Sequence, residues 1–465
     1  MYPIILLSVL GVVTLFLGFS KSKNVLLPSV LVFLIIAVAG NFIEWNQGPL
    51  SYFYDMLRVD NLTLSFSGIV LVSAFMIVAI SGGFRDNAES EPAEYYALML
   101  FSLVGAIMMI SFSHLIMLFI GVEILSVAMY VLTGSNKRNL RSNEAALKYF
   151  LMGAFATGFM LFGMALIYGA TGSFSLLKIQ SFVTITNVAA PSYLLYAGLL
   201  LLLVGMLFKV SAAPFHFWTP DVYEGAPTIF TAFMSTIVKT AGFAAIYRLL
   251  DGSFAGAYEF WWILLAAIAA LTLIVGNVGA AGQSSFKRMM AYSGISHAGY
   301  LLIAVTAISA PSQTAIVFYS IAYSLATICA FAVLILVSNE NTINGQPGEH
   351  YDAFNGLAKK NPLLAFVMTV SMLSLAGIPL TAGFWGKFMV FSSAADRGII
   401  WITVIAVLMS TVGIYYYFRV IMASYLKEGQ LAEIRVAPFF KAVIVVATFL
   451  TLLFGLAPSL LEGLI

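Results

Sequence analysis

Apolar residues run along this chain in long windows separated by short polar connections. About fourteen of the windows approach the roughly 20 residues needed to cross a bilayer. They are Ile4–Phe19, Val25–Ile43, Leu62–Ile80, Tyr95–Ile110, Leu115–Leu132, Glu144–Tyr168, Tyr193–Ala213, Pro227–Leu250, Phe260–Gly279, Ala291–Ala307, Ala315–Ser338, Pro362–Ala394, Ile399–Ser424 and Pro438–Phe454. Little more than Ser111–His114 separates the fourth from the fifth. Two windows are interrupted, at Ala212-Ala213-Pro214 and at Gly377-Ile378-Pro379. Proline removes a backbone donor and clashes with the preceding turn. Within hydrocarbon such a break persists where protein or water partners the freed carbonyls. Each break lies near a lysine and is followed by an aromatic pair, Phe217-Trp218 or Phe384-Trp385. The breaks fall in the seventh and twelfth windows, the spacing of two five-helix repeats, and an odd number of helices per unit inverts one repeat relative to the other. The pattern predicts an all-α polytopic membrane protein of about 14 transmembrane helices. It comprises an N-terminal three-helix segment (1–93), a first repeat (94–253), an inverted second repeat (254–426) and a C-terminal helix (427–465).

Composition narrows this further. The chain is 61% hydrophobic and 9% charged, with a mean hydropathy of +0.99, whereas soluble domains are about 25% charged. A net charge of +2 spread over 465 residues offers no phosphate-binding stripe, which excludes nucleic acid as a partner. Thirteen basic residues fall in connections on one side (Lys21, Lys23, Arg85, Lys137, Arg138, Arg141, Lys287, Arg288, Lys359, Lys360, Lys427, Arg435 and Lys441), against four on the other (Arg58, Lys178, Arg248 and Arg397). By the positive-inside rule both termini then face away from the cytoplasm. The first window has no basic residue before it, so it reads as a retained helix and not as a cleaved signal. Cys329, the single cysteine, sits in an apolar run and reads as a core thiol.

A charge at the bilayer centre costs about 2.5–3.5 kcal/mol on insertion scales, which singles out a few residues. Glu123 is mid-window in the fifth helix, Lys209 lies five residues before Pro214, and Lys239 is at the centre of the eighth window. Lys387 follows the second break, and His297 falls in the first turns of the tenth window, after Lys287-Arg288. Snorkelling lysines and buried ion pairs are the plainer account of such residues. The central positions of Glu123, Lys209 and Lys239 argue against snorkelling, while a lone histidine can simply bond a neighbouring helix. Glu144 and Lys148 read as interfacial, and Arg419 as pairing or snorkelling. Low dielectric penalises a lone ammonium and a nearby carboxylate stabilises it, so a Glu123–Lys209 pair able to separate is a switch. No phosphate-binding loop is present, and Gly276, Gly279 and Gly282 read as packing glycines. The four histidines (His114, His216, His297 and His350) have no spacing for haem or metal. No cofactor is expected in this chain.

At these residues the chain resembles the subunit N family, antiporter-like membrane subunits of the proton-translocating NADH–quinone oxidoreductase (respiratory complex I), over nearly its whole length. The most specific stretch is Phe208-Lys209-Val210-Ser211-Ala212-Ala213-Pro214-Phe215-His216-Phe217-Trp218-Thr219-Pro220-Asp221-Val222-Tyr223-Glu224-Gly225-Ala226-Pro227-Thr228. Its Asp-Val-Tyr-Glu-Gly-Ala-Pro-Thr ending looks like subunit N more than the sister subunits M and L. Lys287-Arg288-Met289-Met290-Ala291-Tyr292-Ser293-Gly294-Ile295-Ser296-His297-Ala298-Gly299-Tyr300 and Gly377-Ile378-Pro379-Leu380-Thr381-Ala382-Gly383-Phe384-Trp385-Gly386-Lys387-Phe388 support it. The resemblance implies that Glu123 tunes Lys209 and that protons pass through Lys239 and His297 to Lys387. It implies NADH, FMN, iron–sulfur clusters and quinone in partner subunits, membrane and peripheral, and a place in a bacterial plasma membrane. Two other classes share the features: a subunit of a cation/proton antiporter or membrane-bound hydrogenase of the same fold, and a structural subunit whose charges are idle.

Overall fold

The computed structural model describes residues 1–20, 22–82, 92–189, 192–340, 342–343, 346–429 and 431–462. Lys21 and Arg85, both counted in the charge asymmetry, lie outside the described residues. Helices α1 (Tyr2–Leu17) and α2 (Leu26–Phe42) lead into a hairpin of β1 (Leu50–Tyr52) and β2 (Leu57–Val59). There follow α3 (Asn61–Ile80), α4 (Pro92–Ser111), α5 (Leu115–Thr133), α6 (Leu140–Thr171), α7 (Leu176–Ala189), α8 (Tyr193–Lys209) and α9 (Trp218–Gly225). Helix α10 (Thr228–Phe233) continues through a π-helical turn (Met234–Val238) into α11 (Lys239–Ser253). The chain then forms α12 (Tyr258–Ala281), α13 (Phe286–Ala307), α14 (Ala310–Glu340), a short hairpin of β3 (Thr342–Ile343) and β4 (Gln346–Pro347), and α15 (Leu357–Lys360). It ends in α16 (Pro362–Ala376), α17 (Ala382–Asp396), α18 (Ile400–Leu426), α19 (Pro438–Leu456) and α20 (Ser459–Glu462).

Nine helices among the described residues are long and apolar enough to cross a membrane, Thr228–Ser253 counting as one, with shorter apolar helices such as α1, α2, α8 and α16 beside them. Burial sorts centre from rim. The most apolar 18-residue stretch of the 228–253 segment is 100% buried and that of α14 83%, whereas that of α18 is only 28%. Helix α13 is buried along nearly its whole length yet less apolar than these, because Tyr292, Ser293, Ser296, His297 and Tyr300 lie within it. Helix pairs close on glycine. A Cβ on Gly105 of α4 would stand 2.5 Å from the Leu125 amide of α5, one on Gly163 of α6 2.5 Å from Leu202 N of α8, and one on Gly276 of α12 2.4 Å from Ser296 N of α13. Small residues let membrane helices approach backbone to backbone.

The connecting segments gather at two ends. At one, the Met1 ammonium meets Glu44 at 2.6 Å, Arg248 meets Asp60 at 2.6 Å, Ser113 N donates to Met56 O, Ser253 Oγ to Leu176 O, and Arg397 lies over Tyr258. At the other, Asp221 holds Lys148 and Arg288, each at 2.8 Å. Glu349 holds Lys287 at 3.1 Å, Arg419 donates to Ala281 O, and Asn361 Nδ2 to Ala432 O.

The two proline regions end helices, and specific side chains take up the orphaned carbonyls. Helix α8 stops at Lys209, and Ser211 has φ +65°. Trp218 Nε1 donates to Phe208 O (3.1 Å), and Ala213 N donates to Thr272 Oγ1 (3.0 Å). Helix α16 stops at Ala376 with Gly377 left-handed at φ +81°, as C-terminal caps favour. Lys387 Nζ then donates to Ala376 O at 2.8 Å. The tryptophan after the first break and the lysine after the second therefore replace missing intrahelical donors.

Three readings need correction. Helix α13 begins at Phe286, where Ser285 caps Arg288 N, so His297 sits mid-helix and not in the first turns. Lys209 is the last residue of α8 and not deep within it. Lys178 belongs to a helix, α7, where the sequence suggested a loop.

Candidate functional site

Lys209, 4% exposed, donates from Nζ to Ser126 Oγ (2.8 Å) and Tyr149 OH (3.4 Å). Tyr149 stacks on Trp218 with centroids 4.6 Å apart and planes within 7°. The hydroxyl of Ser126 in turn donates to Val122 O. Glu123 lies on α5 one turn before Ser126, only half-buried, and its Oε1 is buried without a hydrogen-bond partner among the described residues. No direct Glu123–Lys209 ion pair is formed among the described residues. The lysine reaches the neighbouring serine instead.

Lys239, 2% exposed, follows directly on the π-helical turn, a local widening that re-aims side chains. Its Nζ donates to Gly294 O at 2.5 Å and lies 5.9 Å from the Tyr323 ring. A Cβ at residue 294 would stand 2.8 Å from that nitrogen, so glycine opens the carbonyl to the lysine. The Tyr323 ring is 4.8 Å from His297.

His297, 3% exposed, is held between two hydroxyls. Nδ1 is 2.6 Å from Tyr319 OH and Nε2 is 3.0 Å from Tyr417 OH, which reaches Ser293 Oγ at 2.5 Å. Whichever ring nitrogen carries the proton donates and the other accepts, so the imidazole can take a proton on one side and release it on the other. Tyr300 lies 5.9 Å from the His297 ring and 4.8 Å below Lys387 Nζ. Lys387, 5% exposed, also donates to Ser410 Oγ at 2.9 Å. Lys239, Tyr323, His297, Tyr300 and Lys387 thus form one contiguous buried array. Lys209 with Tyr149, Trp218 and Tyr223 forms a second, with no hydrogen bond joining the two among the described residues.

The membrane-domain model described as NADH:quinone oxidoreductase/Mrp antiporter, TM matches residues 111–414. The NADH-quinone oxidoreductase subunit N of Trichlorobacter lovleyi is 45% identical over 431 residues, 92% of this chain and 87% of that protein. The subunit N of Cytophaga hutchinsonii is 40% identical over 465 residues, 99% of this chain and 98% of that protein. The chain belongs to this family. A chain of respiratory complex I from Thermus thermophilus superimposes with a TM-score of 0.84 at 36% identity, covering 99% of both chains. A chain of the Mrp complex from Dietzia sp. has a TM-score of 0.87 at 19% identity, over 99% of this chain and 95% of that one, and shares the fold.

For a subunit N family member, the partners of the lysines are what the sequence left out. Tyr149 and Ser126 surround Lys209, and Tyr300, Tyr319, Tyr323 and Tyr417 line the larger array with Ser293 and Ser410 between them. One signal was available: Tyr319 and Tyr323 stand four apart and Tyr300 three past His297, spacings that put side chains on one helical face. The remaining charges are tied elsewhere. Lys148 pairs with Glu144 (2.7 Å) and Asp221, and Arg419 donates to the carbonyls of Ala281 and Gln283 under the Tyr351 ring. Cys329 is buried beside Thr448.

Proposed function

We propose that the chain is the proton-translocating membrane subunit of an NADH–quinone oxidoreductase, carrying protons through Lys209, Lys239, His297 and Lys387 with Glu123 as the tuning carboxylate. NADH, FMN, iron–sulfur clusters and quinone are then held by partner subunits, membrane and peripheral, and electron transfer there drives the cycle. One observation carries the reading. Lys209, Lys239 and Lys387 are each at least 95% buried, and each is bonded only to neutral groups among the described residues: serine hydroxyls, backbone carbonyls and tyrosine rings. A structural lysine at that depth is paired with a carboxylate, since an unpaired buried charge is costly. Lys287, 2% exposed, obeys that rule with Glu349. An ammonium bonded to neutral acceptors can give up its proton without stranding a counter-charge.

The same reading takes the chain as fourteen spans in two inverted repeats, α4 to α11 and α12 to α18, with both termini on the non-cytoplasmic side of a bacterial plasma membrane. The meeting of alternate connections at opposite ends, one rich in lysine and arginine, supports it.

The test is proton pumping and NADH oxidation measured together in membranes carrying Lys209→Met or Lys209→Arg, with assembly checked. Arginine keeps the charge but does not release its proton. Both variants are expected to assemble and to lose pumping by roughly tenfold or more. Unchanged pumping in Lys209→Met removes Lys209 from the relay, and full activity in Lys209→Arg reduces its role to a fixed charge. Purification of the assembled complex without a flavin-containing arm would point to the antiporter alternative.

A further inference from the structure

A cavity of about 400 Å³ opens at the lysine-rich end of the molecule, outside the buried array, between the start of α13, the segment after β4 and the last two turns of α18. Ser284, His350, Tyr351, Arg419, Met422 and Lys427 line it. Its electrostatics are unusual for this chain. The Arg419 guanidinium contacts no carboxylate among the described residues and is held in place by two carbonyls and the faces of Tyr351, 4.5 Å away, and Tyr415. Lys427 contributes a second positive charge, tied only loosely at 3.7 Å to the exposed Asp352, the one acid in the lining. The Tyr351 hydroxyl is buried without a hydrogen-bond partner among the described residues. From this cationic pocket an exposed apolar and aromatic strip descends along α18 through Leu426, Tyr425, Met422, Phe418 and Tyr415.

We propose that this cavity binds the phosphate headgroup of an anionic phospholipid whose acyl chains lie along that strip. A basic pocket between transmembrane helices at the cytoplasmic border suits such a headgroup, and arginine engages phosphate through two parallel N–H bonds. Tyrosines at the same level match the aromatic belt of a bilayer interface. The cavity lies within the 300–1,000 Å³ range of small-ligand sites. The proposal rests on the membrane reading above but not on the relay, since no relay residue touches the cavity.

The test uses the assembled complex in liposomes containing photoreactive phosphatidylglycerol or photoreactive phosphatidylcholine at equal mole fraction, with labelled peptides mapped. Phosphatidylglycerol is expected to label the 415–427 segment preferentially. Arg419→Gln and Lys427→Gln should each cut that labelling roughly five-fold, the equivalent of one headgroup-to-charge contact. Because Arg419 also braces two carbonyls, the exposed Lys427 variant is the control for misfolding. Equal labelling by both lipids, labelling insensitive to Lys427→Gln, an unlabelled α18 shielded by a neighbouring subunit, or displacement of the label by millimolar inorganic phosphate would each overturn the proposal. Pumping and oxidation in the same preparation report separately on the relay.

Discussion

At the scale of single residues, the buried lysines stand out in the sequence because a charge in an apolar window is expensive. Their partners do not, because hydroxyls and carbonyls are cheap and common there; nothing in the chain's order announces that Lys209 meets Ser126 and not Glu123. The Lys239 contact depends on one such silent position. Gly294→Ala would place a methyl 2.8 Å from Lys239 Nζ and 3.2 Å from Tyr323 OH. The lysine end is flexible, so the fold should yield at a cost within about 1 kcal/mol, while the misplaced ammonium should slow proton transfer on the order of tenfold. Normal pumping in an assembled Gly294→Ala complex would show that this contact is incidental. Asp60, in the connection before α3, makes a different prediction. Burial pushes its carboxyl up, but the Arg248 charge and hydrogen bond, with Thr63, outweigh burial and hold it below the usual carboxylate range. A depressed folded-state value gives stability that is present above about pH 3.9, the unfolded value, and is lost as pH falls through the folded value. Asp60→Asn should therefore destabilise the purified protein at neutral pH by on the order of 3 kcal/mol, because Arg248 is left buried and unpaired. The gap to the native protein should close only in strong acid. A gap that closes already between pH 7 and 5 contradicts the ion pair as its source.

At the scale of elements, apolar windows predicted helix positions well and helix ends poorly. The true ends are set by caps that composition does not weigh: Asp60 for α3, Ser285 for α13, and Gly377 for α16. The start of α13 was read late because Lys287 and Arg288 look like a connection; their charges are neutralised by Glu349, Asp221 and Glu224, which come from distant segments. Helix-to-helix fit was legible only as scattered glycines, and the structure divides them. A Cβ at Gly105 would collide with the α5 backbone at 2.5 and 2.7 Å, whereas one at Gly158 meets nothing within 4 Å. Backbone cannot move aside as a side chain can. Gly105→Ala should therefore spread α4 from α5, displace Ser126 from Lys209, and cost about 1–3 kcal/mol. Gly158→Ala should be neutral or stabilising by up to about 1 kcal/mol, as alanine is the better helix former. Thermal unfolding of the two variants side by side tests this, and equal loss in both would mean that helix crossing is not the reason for glycine at 105.

At the scale of the whole molecule, the proposed orientation rests on parity: every connection must alternate between the two ends. The charge count argued this from sequence, with thirteen basic residues against four, although two of the thirteen lie outside the described residues. The folded chain supplies a physically independent argument. A hydrogen bond between two connections is possible only if both lie at the same end, and the bonds Met56–Ser113, Ser113–Leu176 and Leu176–Ser253 tie together segments that each lie an even number of spans apart. One helix missed or invented between any two of them would place the partners a membrane thickness apart. The chain offers a clean way to test the orientation, because its single cysteine, Cys329, is 1% exposed and should not react with a membrane-impermeant maleimide. Ser51→Cys on β1 and Asn136→Cys after α5 both replace exposed residues at opposite ends. In intact cells or right-side-out vesicles the first is expected to be labelled and the second protected, and in inverted vesicles the pattern should reverse. Labelling of both from one side would break the alternation, and with it the proposed inverted relation of two repeats. The exchanged pattern, with Asn136→Cys reactive from outside, would keep the fold but turn the proposed path from Lys209 to Lys387 the other way across the membrane.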